Sequence, residues 1–144
     1  MKKILFLLVC MFSFSVVVFA GDDKPVNFQK LPVRAQKFIN THFTAAKVQK
    51  AFMDESGDEY EVRIKGGIKI EFDEEGRWKE IETSKAPIPG KLIPTKIRRE
   101  VKTKYGATIK IVEISREDDK LEVKLSNGKE LEFDRSKKKV EEDD

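Results

Sequence analysis

Four carboxylates alternate with apolar residues along two neighbouring stretches of this chain. Glu59 and Glu61 lie in Glu59-Tyr60-Glu61-Val62-Arg63-Ile64, and Glu71 and Asp73 lie in Ile68-Lys69-Ile70-Glu71-Phe72-Asp73. A period of two puts all four on one face of a β-ribbon, where clustered carboxylate oxygens are the donors a calcium ion prefers. The same face also receives cations. Arg63 and Lys69 flank the acids, and Arg77 and Lys79 follow on the next stretch, expected opposite Asp73 and Glu71. Two chemistries are open: a calcium site built from Glu59, Glu61, Glu71 and Asp73, or a charge-compensated face contacting a protein partner through Arg63, Lys69, Glu71, Arg77 and Lys79. Like charges placed directly opposite destabilise a sheet. The nearby cations and the lack of a carbonyl-rich loop favour the second reading.

Catalytic chemistry has little to build on. His42 is the only histidine and falls on an apolar helical stripe beside Ile39 and Phe43, as a boundary residue of the core would. No nucleophile-elbow pattern accompanies it. Trp78 reads as core over Phe72 rather than as a binding anchor. Lys137-Lys138-Lys139, followed at once by Glu141-Glu142-Asp143-Asp144, reads as a solvated tail rather than a phosphate-binding arm. The expectation is a protein that is not an enzyme and needs no cofactor.

Residues 1–20 have the form of a cleaved signal peptide. Lys2-Lys3 precede an uncharged run from Ile4 to Ala20, which ends Val18-Phe19-Ala20 before Gly21-Asp22-Asp23. Cys10 lies within that run behind Val9, so no lipoprotein attachment motif is present. Cleavage would leave a chain without cysteine, which excludes zinc–thiolate sites, redox pairs and cysteine nucleophiles. Removing Lys2 and Lys3 from the 29 basic residues leaves 27 against 26 acidic ones, too even a balance to argue for nucleic acid. The expected location is the periplasm or the medium, with no membrane attachment after cleavage.

The elements that must position these residues occur twice. Leu31-Pro32-x-x-Ala35-x-x-x-Ile39-x-x-x-Phe43 returns as Ile93-Pro94-x-x-Ile97-x-x-x-Val101-x-x-x-Tyr105, 62 positions later. Tyr60-Glu61-Val62-Arg63-Ile64 returns as Leu121-Glu122-Val123-Lys124-Leu125, and Glu71-Phe72-Asp73 as Glu132-Phe133-Asp134. Such self-similarity is the mark of a repeated structural unit. Each unit should be a helix followed by a four-stranded antiparallel meander, and two units give an α+β fold. The expected architecture is an open sheet of up to eight strands with both helices on one face. The boundaries are a polar lead-in at 21–30, a first copy at 31–82, a linker at 83–92 and a second copy at 93–144.

Register follows from keeping apolar residues on one side. A three-residue Lys65-Gly66-Gly67 loop pairs Ile64 with Ile68, Val62 with Ile70 and Tyr60 with Phe72. Glu74-Glu75-Gly76 pairs Phe72 with Trp78, Glu55-Ser56-Gly57 pairs Phe52 with Tyr60, and Ser126-Asn127-Gly128 pairs Val123 with Leu131. Each loop ends on a glycine, as left-handed geometry at the third position requires. A last strand after Asp134 is the weakest of the pattern.

Leu31-Pro32-x-x-Ala35-Gln36-x-Phe38-Ile39, Tyr60-Glu61-Val62 and Ile70-Glu71-Phe72-Asp73-x-x-Gly76-x-Trp78 together resemble the PepSY-like family, in two tandem copies. The resemblance implies an exported bacterial protein with a fold like the β-lactamase-inhibitor protein. It also implies a non-catalytic binding role, with inhibition of an envelope or secreted enzyme suggested by the related fold.

Overall fold

Alternating strands with one apolar face can be buried only if something covers that face, and here two amphipathic helices do so. The structure, a computed structural model, describes residues 23–84, 86–117 and 119–134. The apolar run at 1–20, the strand expected after Asp134 and the charged tail lie outside the described residues. Within them the strands are β1 (Lys24–Pro25), β2 (Val48–Met53), β3 (Glu59–Ile64), β4 (Ile68–Asp73), β5 (Trp78–Thr83), β6 (Ile111–Glu117), β7 (Lys120–Leu125) and β8 (Glu130–Asp134). They form one antiparallel sheet of eight strands in chain order. Helix α1 (Val33–His42) precedes β2, and α2 (Thr95–Tyr105) precedes β6. The region 21–30 reads in sequence only as a polar lead-in, with no strand assigned to it. In the structure it supplies β1, which pairs Lys24 with Met53 and Pro25 with Phe52 along the sheet edge.

Both helices begin by the same device. Pro32 and Pro94 stand at the N-caps with extended backbone, and neither cap has a side-chain hydrogen bond. A proline here gives up no helical bond, because the first N–H groups of a helix have no internal partner. A long side chain one turn in ties each start to the chain before it. Gln36 Nε2 donates to the Leu31 carbonyl at 2.8 Å, and Arg98 Nε donates to the Ile93 carbonyl at 3.2 Å. Gly106, at φ +90°, ends α2.

The apolar stripes of both helices and the apolar face of the sheet close into one core. Ala35, Phe38 and Ile39 of α1 and Ile97 and Val101 of α2 pack with Val62, Ile70, Phe72, Ile81, Ile114 and Val123. Phe38 meets Phe72 edge-on with ring centroids 5.9 Å apart. Trp78 is buried in the same core, as expected. The segment between β5 and α2 joins it too, because Ile88 is buried and donates its N–H to the Ile111 carbonyl. The other face of the sheet carries the polar residues.

Three hairpins have the expected register: Ile64 opposite Ile68, Phe72 opposite Trp78 and Val123 opposite Leu131. The β2–β3 hairpin does not. Met53, not Phe52, faces Tyr60, and Phe52 faces Glu61. The turn is one residue longer because Asp54 organises it. Its Oδ1 accepts from the backbone N–H groups of Gly57, Asp58 and Glu59, and Asp54 N–H pairs with the Glu59 carbonyl. The shift puts Phe52 on the open face and leaves small Ala51 in the core opposite Val62.

A second departure lies in β5. Register slips between Glu71 and Phe72, so Glu71 faces Glu80 and Lys79 is left in a bulge. The expected Lys79–Glu71 pairing is therefore wrong. Comparable slips occur where β2 and β6 begin, between Val48 and Lys50 and between Ile111 and Glu113. A bulge adds one residue to one strand and re-aims the side chains beyond it.

Candidate functional site

The registered pairs align the open face into two rows that cross the sheet. One runs Glu61, Glu71, Glu80, Ser115, Glu122, Glu132. The adjacent one runs Arg63, Lys69, Glu82, Glu113, Lys124, Glu130. The first row holds carboxyls at every position but one. Burial disfavours the charged form of a carboxyl and a neighbouring carboxylate adds repulsion, and in this row Glu71, Glu80 and Glu122 are raised.

Glu80 shows the result most strongly. Its pKa is pushed up to about 9, first by burial, then by its hydrogen bond with Glu113, then by the charges of Glu71, Glu113 and Glu82. Glu71 is also raised, mainly by burial, with Glu59 and Glu61 adding to it and Lys69 and Lys79 opposing it. Glu122 is raised by burial and by Glu132 and Glu130. Glu61 is 5% exposed, and its Oε1 has no hydrogen-bond partner among the described residues.

Where the rows cross β5 and β6, three carboxyls converge. Glu80, Glu82 and Glu113 each offer an oxygen, and these oxygens lie within 4.8 Å of one another. Two oxygens on opposite sides of one calcium ion stand about 4.6–5.2 Å apart, so the spacing suits such an ion. Three carboxylates can supply up to six oxygens, and the absence of nitrogen and sulfur donors selects a hard cation over zinc. Lys69 Nζ lies 3.3 Å from Glu82, so one positive charge already sits at the rim. That carboxylate and those of Glu61 and Glu71 hold the Lys69 pKa above its usual value against the opposing effect of burial.

The quartet read from the sequence is divided between different partners. Glu59 pairs with Lys79 at 2.7 Å across an intervening strand, and this bond raises the Lys79 pKa although burial works against it. Asp73 is partly desolvated, which would raise its pKa. Hydrogen bonds from the Arg77 backbone, the Arg77 side chain and the Glu75 backbone outweigh this and hold it low. Glu61 is bridged by Arg63 Nε at 2.6 Å. Glu71 alone of the four stays beside the convergent group. Arg63 lies over the Phe52 ring, 5.2 Å from its centroid, and Arg77 also bridges Glu75 at 2.8 Å. Glu80, Glu82 and Glu113 were missed by sequence reasoning. The Glu80-x-Glu82 alternation was visible, but placing Glu113 beside it needs the β5–β6 register, which no hairpin loop dictates.

His42 is half-buried at the end of α1, edge-on to Phe38 with centroids 4.6 Å apart. No helix among the described residues is long and apolar enough to cross a membrane.

Comparison with known proteins bears on what this face is for. Residues 58–139 match the family described as "putative beta-lactamase-inhibitor-like, PepSY-like". The chain belongs to the PepSY-like family. Three solved structures similar to this PepSY-like chain are of Bacteroides proteins. A protein of the DUF2874 family from Bacteroides vulgatus, described as a "putative periplasmic protein", is 40% identical with a TM-score of 0.71, covering 81% of this chain and 93% of its own. A Bacteroides thetaiotaomicron protein, described as a "putative calcium-regulated periplasmic protein", is 38% identical with a TM-score of 0.72, covering 85% of this chain and 95% of its own. A second Bacteroides vulgatus protein of unknown function is 33% identical with a TM-score of 0.69, covering 79% and 93%. No curated protein matches the sequence.

Proposed function

We propose that this PepSY-like protein is an exported, non-catalytic binding module that holds a hard divalent cation, calcium foremost, between Glu80, Glu82 and Glu113. The observation that carries this reading is the convergence of three carboxyl oxygens within 4.8 Å on a face where burial and the neighbouring acids already oppose the ionisation of Glu80. A cation there would offset the repulsion that otherwise keeps a proton on Glu80. The description of the Bacteroides thetaiotaomicron relative as calcium-regulated supports calcium over magnesium. Export is supported by the signal-like residues 1–20 and by relatives described as periplasmic. The non-catalytic part rests on a composition with one histidine and, after export, no cysteine.

The reading includes an internal duplication. Gln36 to Leu31 and Arg98 to Ile93 are the same hydrogen bond 62 positions apart. Lys65 N–H to the Lys47 carbonyl corresponds to Ser126 N–H to the Lys110 carbonyl. Each unit thus opens its sheet with the same bulge. The cluster forms where the last strand of the first unit meets the first strand of the second.

A second reading is favoured by one feature. Phe52 and Arg63 stack on the open face, giving an aromatic and a cation side by side, the residue types that anchor protein interfaces. Docking of a protein, including an envelope enzyme to be inhibited, would then use Arg63, Lys69, Glu71, Arg77 and Lys79. Thermal melting in EDTA, millimolar calcium and millimolar magnesium separates the two. Cation binding gives a calcium-dependent rise that Glu82→Gln and Glu113→Gln abolish. A melt indifferent to calcium leaves the docking reading.

A further inference from the structure

The helix-covered side of the sheet bears a feature of the opposite charge. A cleft of about 280 Å³ opens where α1 meets the β4–β5 hairpin, lined by Arg34, Lys37 and Thr41 from α1, Arg77 and Trp78 from the hairpin and Arg116 from β6. Among its described lining residues four are cations and none is a carboxylate. Asp73 and Glu75, which bridge Arg77, stand outside the lining.

The walls are fixed by tight packing. Gly76, at φ +87°, lies so close to the start of α1 that a Cβ there would come within 2.8 Å of the Ala35 nitrogen and 2.9 Å of the Pro32 Cβ. Arg116 Nε donates to the Trp78 carbonyl at 2.9 Å, and its guanidinium lies 4.1 Å from the centroid of the Trp78 ring. Cation and aromatic are therefore held together before any ligand arrives, which reduces the ordering that binding would require. Phe38 and Trp78 supply an apolar floor beneath the charges.

We propose that this cleft binds a phosphomonoester, its phosphate against Arg34, Lys37 and Arg116 and its organic body in the rest of the cleft, beside Thr41 and Phe38. Guanidinium forks match phosphate oxygens in bidentate geometry, and a dianion suits several cations better than a singly charged carboxylate. The volume admits a headgroup or a sugar rather than a polymer segment. The site lies across the sheet from Glu80, Glu82 and Glu113 and does not depend on cation binding there. The phosphate can come from a free small molecule or from a lipid headgroup, and the test distinguishes them.

Isothermal titration in EDTA, with glucose 1-phosphate, glucose and inorganic phosphate as probes, is paired with co-sedimentation on phosphatidic acid and phosphatidylcholine vesicles. Either glucose 1-phosphate or phosphatidic acid vesicles should bind, more weakly as salt rises, while glucose and phosphatidylcholine do not. Saturable binding of glucose 1-phosphate assigns a small-molecule source, and binding to phosphatidic acid vesicles alone assigns a lipid. Lys37→Glu, at an exposed helix position, should weaken binding at least tenfold with an unchanged melting temperature, and Arg116→Gln should do the same if it folds. The proposal is overturned if neither phosphomonoester binds at millimolar concentration or if Lys37→Glu binds as the parent does. It is equally overturned if inorganic phosphate binds as tightly as glucose 1-phosphate.

Discussion

Glu80 and Glu113, on neighbouring strands, bring carboxyl oxygens within 4.8 Å of each other on the open face, where a proton on Glu80 relieves their repulsion. The native state holds the Glu80 proton with a pKa of about 9, far above that of a carboxyl in an unfolded chain. The contribution to stability is therefore full below the unfolded carboxyl pKa and is lost as pH rises through the folded value.

Glu80→Gln keeps a donor for Glu113 and removes the titration. It should raise stability at pH 8 by on the order of 1–3 kcal/mol and leave it nearly unchanged at pH 4. Denaturant unfolding at the two pH values checks this. Parallel pH profiles for parent and variant would mean that Glu80 does not hold the proton.

Gly76 and Gly128 share a left-handed backbone, at φ +87° and +91°, but only Gly76 lies against another element. Gly128→Ala should cost about 1 kcal/mol, from backbone strain alone. Gly76→Ala should cost roughly 2–4 kcal/mol, because the new methyl group must also displace the start of α1. Equal losses in chemical denaturation would contradict the close hairpin–helix contact.

Asp54 accepts three backbone hydrogen bonds within its turn. Asp54→Ala should destabilise by about 1–2 kcal/mol and leave any calcium response intact, since the turn lies far along the sheet from β6. An unchanged melting temperature would remove the reason given for the one-residue shift of β2.

That shift shows where the sequence stopped being legible. Parity and glycine position sufficed for Ile64 opposite Ile68 and Phe72 opposite Trp78, because each turn is closed locally and a slip would expose apolar residues. They failed at Phe52, because the length of the turn is decided by a side chain, Asp54, rather than by Gly57. They failed again at Lys79, because a bulge breaks the parity on which the argument rests and sends Lys79 to Glu59. The carboxyl cluster was hidden for a further reason. Glu113 reaches Glu80 and Glu82 across a junction that spans a linker and a helix, and pairing at that distance is set by core packing, not by local turn chemistry.

If the cluster holds calcium, loading it must expel the Glu80 proton, so affinity should rise with pH, roughly tenfold per unit below the Glu80 pKa. Titrating calcium at pH 6 and pH 8 and comparing the two dissociation constants checks the slope. An affinity flat across that interval would place any bound ion away from Glu80.

The most direct measurement is a calorimetric titration of calcium at pH 8 in two buffers of different ionisation enthalpy. The account predicts one ion per chain, released protons that make the observed heat differ between buffers, and loss of the signal in Glu82→Gln and Glu113→Gln variants that still fold. Absence of heat at millimolar calcium, or heat that survives both substitutions, would contradict it.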